Sequence, residues 1–201
     1  MIKVLMDKEM FTFYKNALSD NLCDEYKGYW RGANDDKKKL VSLSLIQQSI
    51  PFFASYAYNG KGLSREYLLE EFTDYINGKE TLYDCDGVHG FSYQLYVDYK
   101  GDCVDLQSDV SHFMWCDGLT IEVGETKCPT IYISNKSKVN LVCLGYNNVR
   151  VYMFDESELT IDDCDEESSV TILKYSDKCK VGKSKFCFSD KIKEHEKTLR
   201  L

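Results

Sequence analysis

The sequence predicts an α+β fold: an N-terminal helical region packed on a C-terminal repetitive β region, with a β-solenoid favoured over an antiparallel meander or sandwich. Three observations carry that reading. The apolar period is about 3.6 up to residue 78 and 2 beyond it. From residue 119 to 188, short apolar pairs recur at a nearly fixed interval. The turns between the pairs share one chemistry, rich in Asn, Asp, Ser and Gly. With 201 residues, 43% of them hydrophobic and 13% aromatic, the chain has the length and composition to bury a core. Only two prolines are present and no Pro/Gly/Ser linker separates the halves, so the regions are expected to pack on each other.

The helical part comes first. In "KEMFTFYKNAL", Met10, Phe11, Tyr14, Ala17 and Leu18 share one helical face. Ser19 or Asp20 caps a second helix through "DNLCDEYKGYW". "DDKKKLVSLSLIQQS" sets Leu43, Ile46 and Ile50 on one side of a third, which Pro51 either kinks or follows with a new start. "SREYLLEEFTDYING" is the clearest. Ser64 is its cap, Leu68, Phe72, Tyr75 and Ile76 its stripe, and Gly78 its left-handed terminator.

Beyond Gly78 the pattern alternates. "FSYQLYVDY" puts Phe91, Tyr93, Leu95, Val97 and Tyr99 on one face of a half-buried strand. "KGD" at 100–102 signals a tight turn and so a hairpin into "CVDLQSDV". The apolar pairs then begin: Leu119/Ile121, Ile131/Ile133, Val139/Leu141, Val149/Val151, Leu159/Ile161, Val170/Ile172 and Cys179/Val181. Their first members advance by 12, 8, 10, 10, 11 and 9 residues. Two strand-plus-turn units of that length make one solenoid coil of roughly 20 residues. The organisation is therefore a helical docking or cap region (1–78), a β-hairpin and connecting segment (79–118), a repetitive β region (119–188) and a charged tail (189–201).

The phrases "SKVNL", "NNVRV", "SELTI" and "SSVTI" resemble those of short β-solenoid proteins common in phages and mobile elements of gut bacteria. The resemblance covers residues 119–188. It implies a fold and a genomic neighbourhood, and it carries over no catalytic residue.

Charge and motifs narrow the function classes. Thirty-three acidic against 25 basic residues give a net charge of −8, which repels phosphate backbones, so no nucleic-acid partner is expected. "MIKVLMDKEMFTFYK" places charges where a signal peptide needs an apolar core, and no apolar stretch nears a spanning length. A cytoplasmic protein with no membrane partner is expected, or a virion component after assembly. Nine cysteines, an odd number without CxxC spacing, point to reduced thiols serving as small core residues. P-loop, GxGxxG, HExxH and GxSxG motifs are missing, so no catalytic residue and no cofactor is assigned.

Three clusters remain as candidates. Tyr26, Tyr29, Trp30, Arg31, Phe52, Phe53, Tyr56 and Tyr58 supply the aromatic and arginine composition of an interface centre. Asp162, Asp163, Asp165 and Glu166 in "IDDCDEES" could bind Ca²⁺, although they lack EF-hand spacing and read more simply as a solvated turn. "YDCDGVHG" holds the metal-capable Asp84, Asp86 and His89, with Cys85 beside them, in what is more simply an interdomain turn. The leading functional expectation is a non-enzymatic assembly or interaction protein, forming a homo-oligomer or joining other subunits. Its concrete version is a phage ring, connector, decoration or tail-associated subunit. The alternatives are a carbohydrate- or small-ligand-binding module using the 15 tyrosines, and a carbohydrate-active enzyme built on a solenoid.

Overall fold

The computed structural model describes residues 8–19, 24–33, 36, 62–83, 92–125 and 127–197. Three helices lead: α1 (Lys8–Ser19), α2 (Asp24–Ala33) and α3 (Arg65–Glu71). Next come β1 (Leu82–Tyr83), β2 (Ser92–Val97), β3 (Cys103–Asp105), β4 (Val110–Met114), β5 (Asp117–Val123) and β6 (Thr130–Ser134). The series closes with β7 (Lys138–Cys143), β8 (Asn148–Met153), β9 (Glu158–Cys164), β10 (Ser169–Lys174), β11 (Lys180–Cys187) and β12 (Ile192–Glu196).

Successive strands alternate between two sheets. One runs β1-β2-β4-β6-β8-β10-β12 and the other β11-β9-β7-β5-β3. Every neighbouring pair is parallel except β1 with β2. A chain that returns in parallel to the same sheet at every second strand is a β-solenoid, here of about 5 turns. The meander and sandwich readings fall with that pairing. Register partners lie 17 residues apart in the first coil and 20 to 23 apart afterwards, twice the ten-residue phrase.

The apolar pairs are the interior. Ile121, Leu141 and Ile161 stack through the second sheet, and Ile131, Val151 and Ile172 through the first, all buried. β-branched side chains suit such pleated columns. The turn residues do as much, because each corner buries backbone groups that need partners. At one corner the Ser137 hydroxyl donates to the Ser134 carbonyl at 2.7 Å and accepts from the Cys116 N–H at 3.1 Å. At the other, the Asn147 amide donates to the Leu144 carbonyl at 2.8 Å, and Ser189 donates to the Ser168 carbonyl at 2.6 Å. The repeated Ser and Asn of the phrases thus satisfy the corners from one coil to the next.

Several expectations are corrected. The hairpin over residues 100–102 does not form: β2 and β3 belong to different sheets. A solenoid corner and a hairpin turn use the same residue types, so local chemistry could not separate them. The repetitive region is wider than 119–188. It begins at β2, and the segment expected to be a charged tail contributes β12, which pairs in parallel with β10.

β2 is not half-buried either. Leu95 and Val97 face outward into a helical cap, while Tyr96 points into the solenoid and stacks on Phe113 at 4.9 Å. The cap core joins Met10, Phe13 and Ala17 of α1, Trp30 of α2, and Leu63, Leu68, Phe72 and Ile76 to Leu95, Val97 and Met114. On α1 the buried stripe is therefore Met10, Phe13 and Ala17, with Phe11 and Leu18 exposed. Ser64 does cap α3, accepting from the Tyr67 N–H at 3.2 Å. That helix ends at Glu71 and gives way to turns leading into Asn77 and Gly78, both at positive φ. Apart from Asp36, the helix expected over "DDKKKLVSLSLIQQS" lies outside the described residues.

Candidate functional site

The corner that follows β7, β9 and β11 is where the surface departs from its surroundings. Leu144, Asp165 and Phe188 occupy equivalent rungs there. Their N–H groups donate to Val123, Cys143 and Cys164, one coil back, at 3.0, 3.2 and 3.0 Å. Inside, the neighbouring positions are the in-register thiols Cys143, Cys164 and Cys187. Outside, Leu144 is 43%, Tyr146 64%, Phe186 52% and Phe188 61% exposed. These are four of the six large hydrophobic residues exposed among those described. Phe188 lines a depression of about 520 Å³ together with Asp165, Glu166 and Glu167.

The ladder explains why these side chains stand out. Cys143, Cys164 and Cys187 take the inward position at the end of each strand, so the next residue turns outward at the bend. Where that residue is Asp165, its carboxylate accepts from the Gly145 N–H in the preceding coil. Where it is Leu144 or Phe188, no such bond is possible and the side chain meets solvent. Lys185 places its Nζ 4.9 Å from the Phe186 ring centroid. Lys185, Lys191, Glu166 and Glu167 make no ion pair among the described residues.

Of the four acids singled out for Ca²⁺, Asp162 sits where β7 and β9 slip in register and is exposed, Asp163 is half-buried, and Asp165 is engaged with Gly145. They do not converge; among the described residues no three His, Cys, Asp or Glu side chains form a metal-holding group.

The aromatic interface cluster divides. Trp30 is 1% exposed and stacks on Tyr14 at 5.1 Å, so it belongs to the cap core rather than to a free surface. Tyr29 is half-buried against the same core, Arg31 is exposed, and Tyr26 lies on α2. Phe52, Phe53, Tyr56 and Tyr58 lie outside the described residues, as do Asp84, Cys85, Asp86 and His89.

Two titratable features were not among the candidate clusters. His112, on the outward face of β4, is wholly buried; its Nε2 lies 2.8 Å from Ser134 Oγ, its Nδ1 has no partner, and burial lowers its pKa to about 3. It adjoins a stack on the first sheet's outer face, where Tyr132 and Tyr152 lie 4.8 Å apart and Phe154 and Tyr175 5.0 Å apart. Tyr132 and Phe154 are buried, and Tyr152 and Tyr175 are half-buried against them. The second feature is the thiol column. The Cys143 thiol, hydrogen-bonded to Cys164 and buried, is pushed far above the usual range, and burial also pushes Cys187 up. Such thiols are poor nucleophiles.

No helix among the described residues is long and apolar enough to cross a membrane. Comparison of the chain with protein-family models, with curated proteins and with solved structures returns no match.

Proposed function

We propose that this chain is a non-enzymatic assembly or interaction subunit, in which a stiff solenoid body presents a docking surface. The observation that carries the reading is the concentration of exposed apolar side chains, Leu144, Tyr146, Phe186 and Phe188, on one side of the last coils. Apolar surface gathered in one place, rimmed by charge, is the composition of an interaction site. The narrower version is a ring, connector, decoration or tail-associated subunit of a phage particle, supported by the resemblance of residues 119–188. Light scattering and chemical cross-linking of the purified protein over a wide concentration range test the assembly reading. A concentration-dependent rise in mass is expected. A monodisperse monomer with no cross-linked species at high concentration counts against it.

A further inference from the structure

We infer that the outward corner of the last three coils, centred on Tyr146 and Phe188, is a two-fold interface between two copies of this chain. The inference rests on the assembly reading and names its surface and partner.

Each coil end carries a feature that opposes stacking of copies, although β3, β11 and β12 keep one unpaired edge among the described residues. At the N-terminal end, Asn77 and β1 occupy the outer edge of β2. At the C-terminal end, the inward register positions above Ile161, Ile172 and Lys174 are Lys183, Glu194 and Glu196, a charged rung that apolar contact would have to desolvate. The sides of the solenoid offer apolar surface instead: among the described residues, the large exposed apolar side chains lie at this corner, apart from Phe11 and Leu18 on α1.

Charge selects the occupant. The corner holds Glu125, against Gly145, and Asp165, Glu166 and Glu167 on its earlier rungs, with Lys185, Asp190 and Lys191 on the last. Acids and lysines side by side, around an apolar centre, are complementary to themselves under a two-fold rotation: the acids of one copy face the lysines of the other, twice over. A uniformly acidic partner would meet these carboxylates, and a uniformly basic one would meet Lys185 and Lys191.

Two charge-reversed variants test this by sedimentation velocity, with circular dichroism melts to confirm folding. One is Glu166→Lys with Glu167→Lys; the other is Lys185→Glu with Lys191→Glu. Alone, each sets like charges opposite each other and should raise the dimer dissociation constant by about tenfold or more. An equimolar mixture restores both sets of opposite charges and should recover the parent value as a heterodimer, an outcome that damage to the fold could not produce. Tyr146→Ser with Phe188→Ser should abolish the dimer while leaving the melt in place. If the parent associates and all these variants associate equally well, the corner is not the interface, although the assembly reading stands. If the parent is monomeric at every concentration, both fall.

Discussion

At the N-terminal end of the solenoid, the exposed edge of β2 is covered. The Val97 N–H donates to Asn77 Oδ1 at 2.8 Å, Asn77 returns its own N–H to the Leu95 carbonyl at 2.7 Å, and three helices lay an apolar core over Leu95, Val97 and Met114. At the C-terminal end, no further strand pairs with β11 or β12 among the described residues. There the apolar columns simply change character: Lys183 sits above Ile161, Glu194 above Ile172, and Lys174 reaches Glu194 and Glu196 at 3.6 and 3.7 Å. One end is terminated by burial and the other by charge. Both are recognised ways of ending a repeat stack, whose last units need a surface that water or a cap can accept. The difference predicts that the two ends will respond to mutation in opposite ways. Changes at the covered end should cost stability, and changes at the charged end should alter association.

The largest effect is expected in the cap. Trp30→Ala removes a side chain packed between α1 and the remainder of the cap core, and should lower unfolding free energy by about 3–5 kcal/mol in urea titrations. The matching change at the far end, Phe188→Ser, should stay within about 0.5 kcal/mol because that side chain is mostly in solvent. Equal losses from the two would erase the distinction between the ends.

Asn77 comes next. Its backbone sits at φ 61°, where glycine is at ease, so Asn77→Gly removes the side-chain bonds to Val97 without adding strain. Leaving the Val97 N–H without its partner should cost about 2–3 kcal/mol. Asn77→Ala, which adds the left-handed penalty, should cost more. A neutral Asn77→Gly would mean that the edge of β2 tolerates exposure, and that burial by the helices is sufficient alone.

Beneath the cap, His112 makes stability depend on pH. Its folded pKa of about 3 lies below the ordinary 6.5, so the unfolded chain takes up a proton first as acidity rises. The stability is intact above about pH 6.5 and is lost progressively as the pH falls towards 3. Among the described residues, the ring's neighbours are Ser134, Tyr132 and, in register on β2, Leu95, none of which titrates in that window. Between pH 7 and pH 5 the parent should lose about 2 kcal/mol more than His112→Gln, whose side chain takes up no proton. Parallel stability–pH curves for the two proteins would show that the site is wetter than its burial indicates.

How far the sequence disclosed these ends depends on the range of the signal. Alternation and the ten-residue phrase are local, and they led to the solenoid and its interior columns, from Leu119/Ile121 to Val170/Ile172. The polar turns were equally visible, but the residues at 100–102 looked the same whether the chain doubled back or rounded a corner. β2 carried the right alternation with the wrong assignment of faces, because a strand under a cap is apolar on the side away from the solenoid. Trp30 illustrates the same limit: an aromatic beside an arginine has interface composition, yet only packing against Phe13 and Tyr14 made it core. β12 was hidden because "IKEHE" has one apolar residue, and its pairing is set by β10. Phe186 and Phe188 were in plain view. Their place at the end of a thiol column could have been found by aligning Cys143, Cys164 and Cys187 at the coil spacing.

The smallest change in stability, and the sharpest probe of the comparison, is expected from the charged rung. Lys183→Ile combined with Glu194→Ile continues two apolar columns by one more residue each. The charges it removes are near solvent, and ion pairs of that kind contribute about 0–1 kcal/mol, so the unfolding transition should hardly move. Association should move instead. The terminal coil would then offer an apolar rung beside unpaired strand edges, the conditions under which sheets join end to end. A rise in mass with concentration should appear, and it should survive Tyr146→Ser with Phe188→Ser, since those side chains lie on the corner and not on the coil end. Introducing Ile at the covered end, on a side chain beneath the helices, has no equivalent, because that edge is already occupied by Asn77. If the double variant keeps the parent's size at every concentration, charge is not what closes the C-terminal end. Geometry would then have to do it, and the slip in register between Lys183 and Phe186, which bends β11 out of line, is the feature that could.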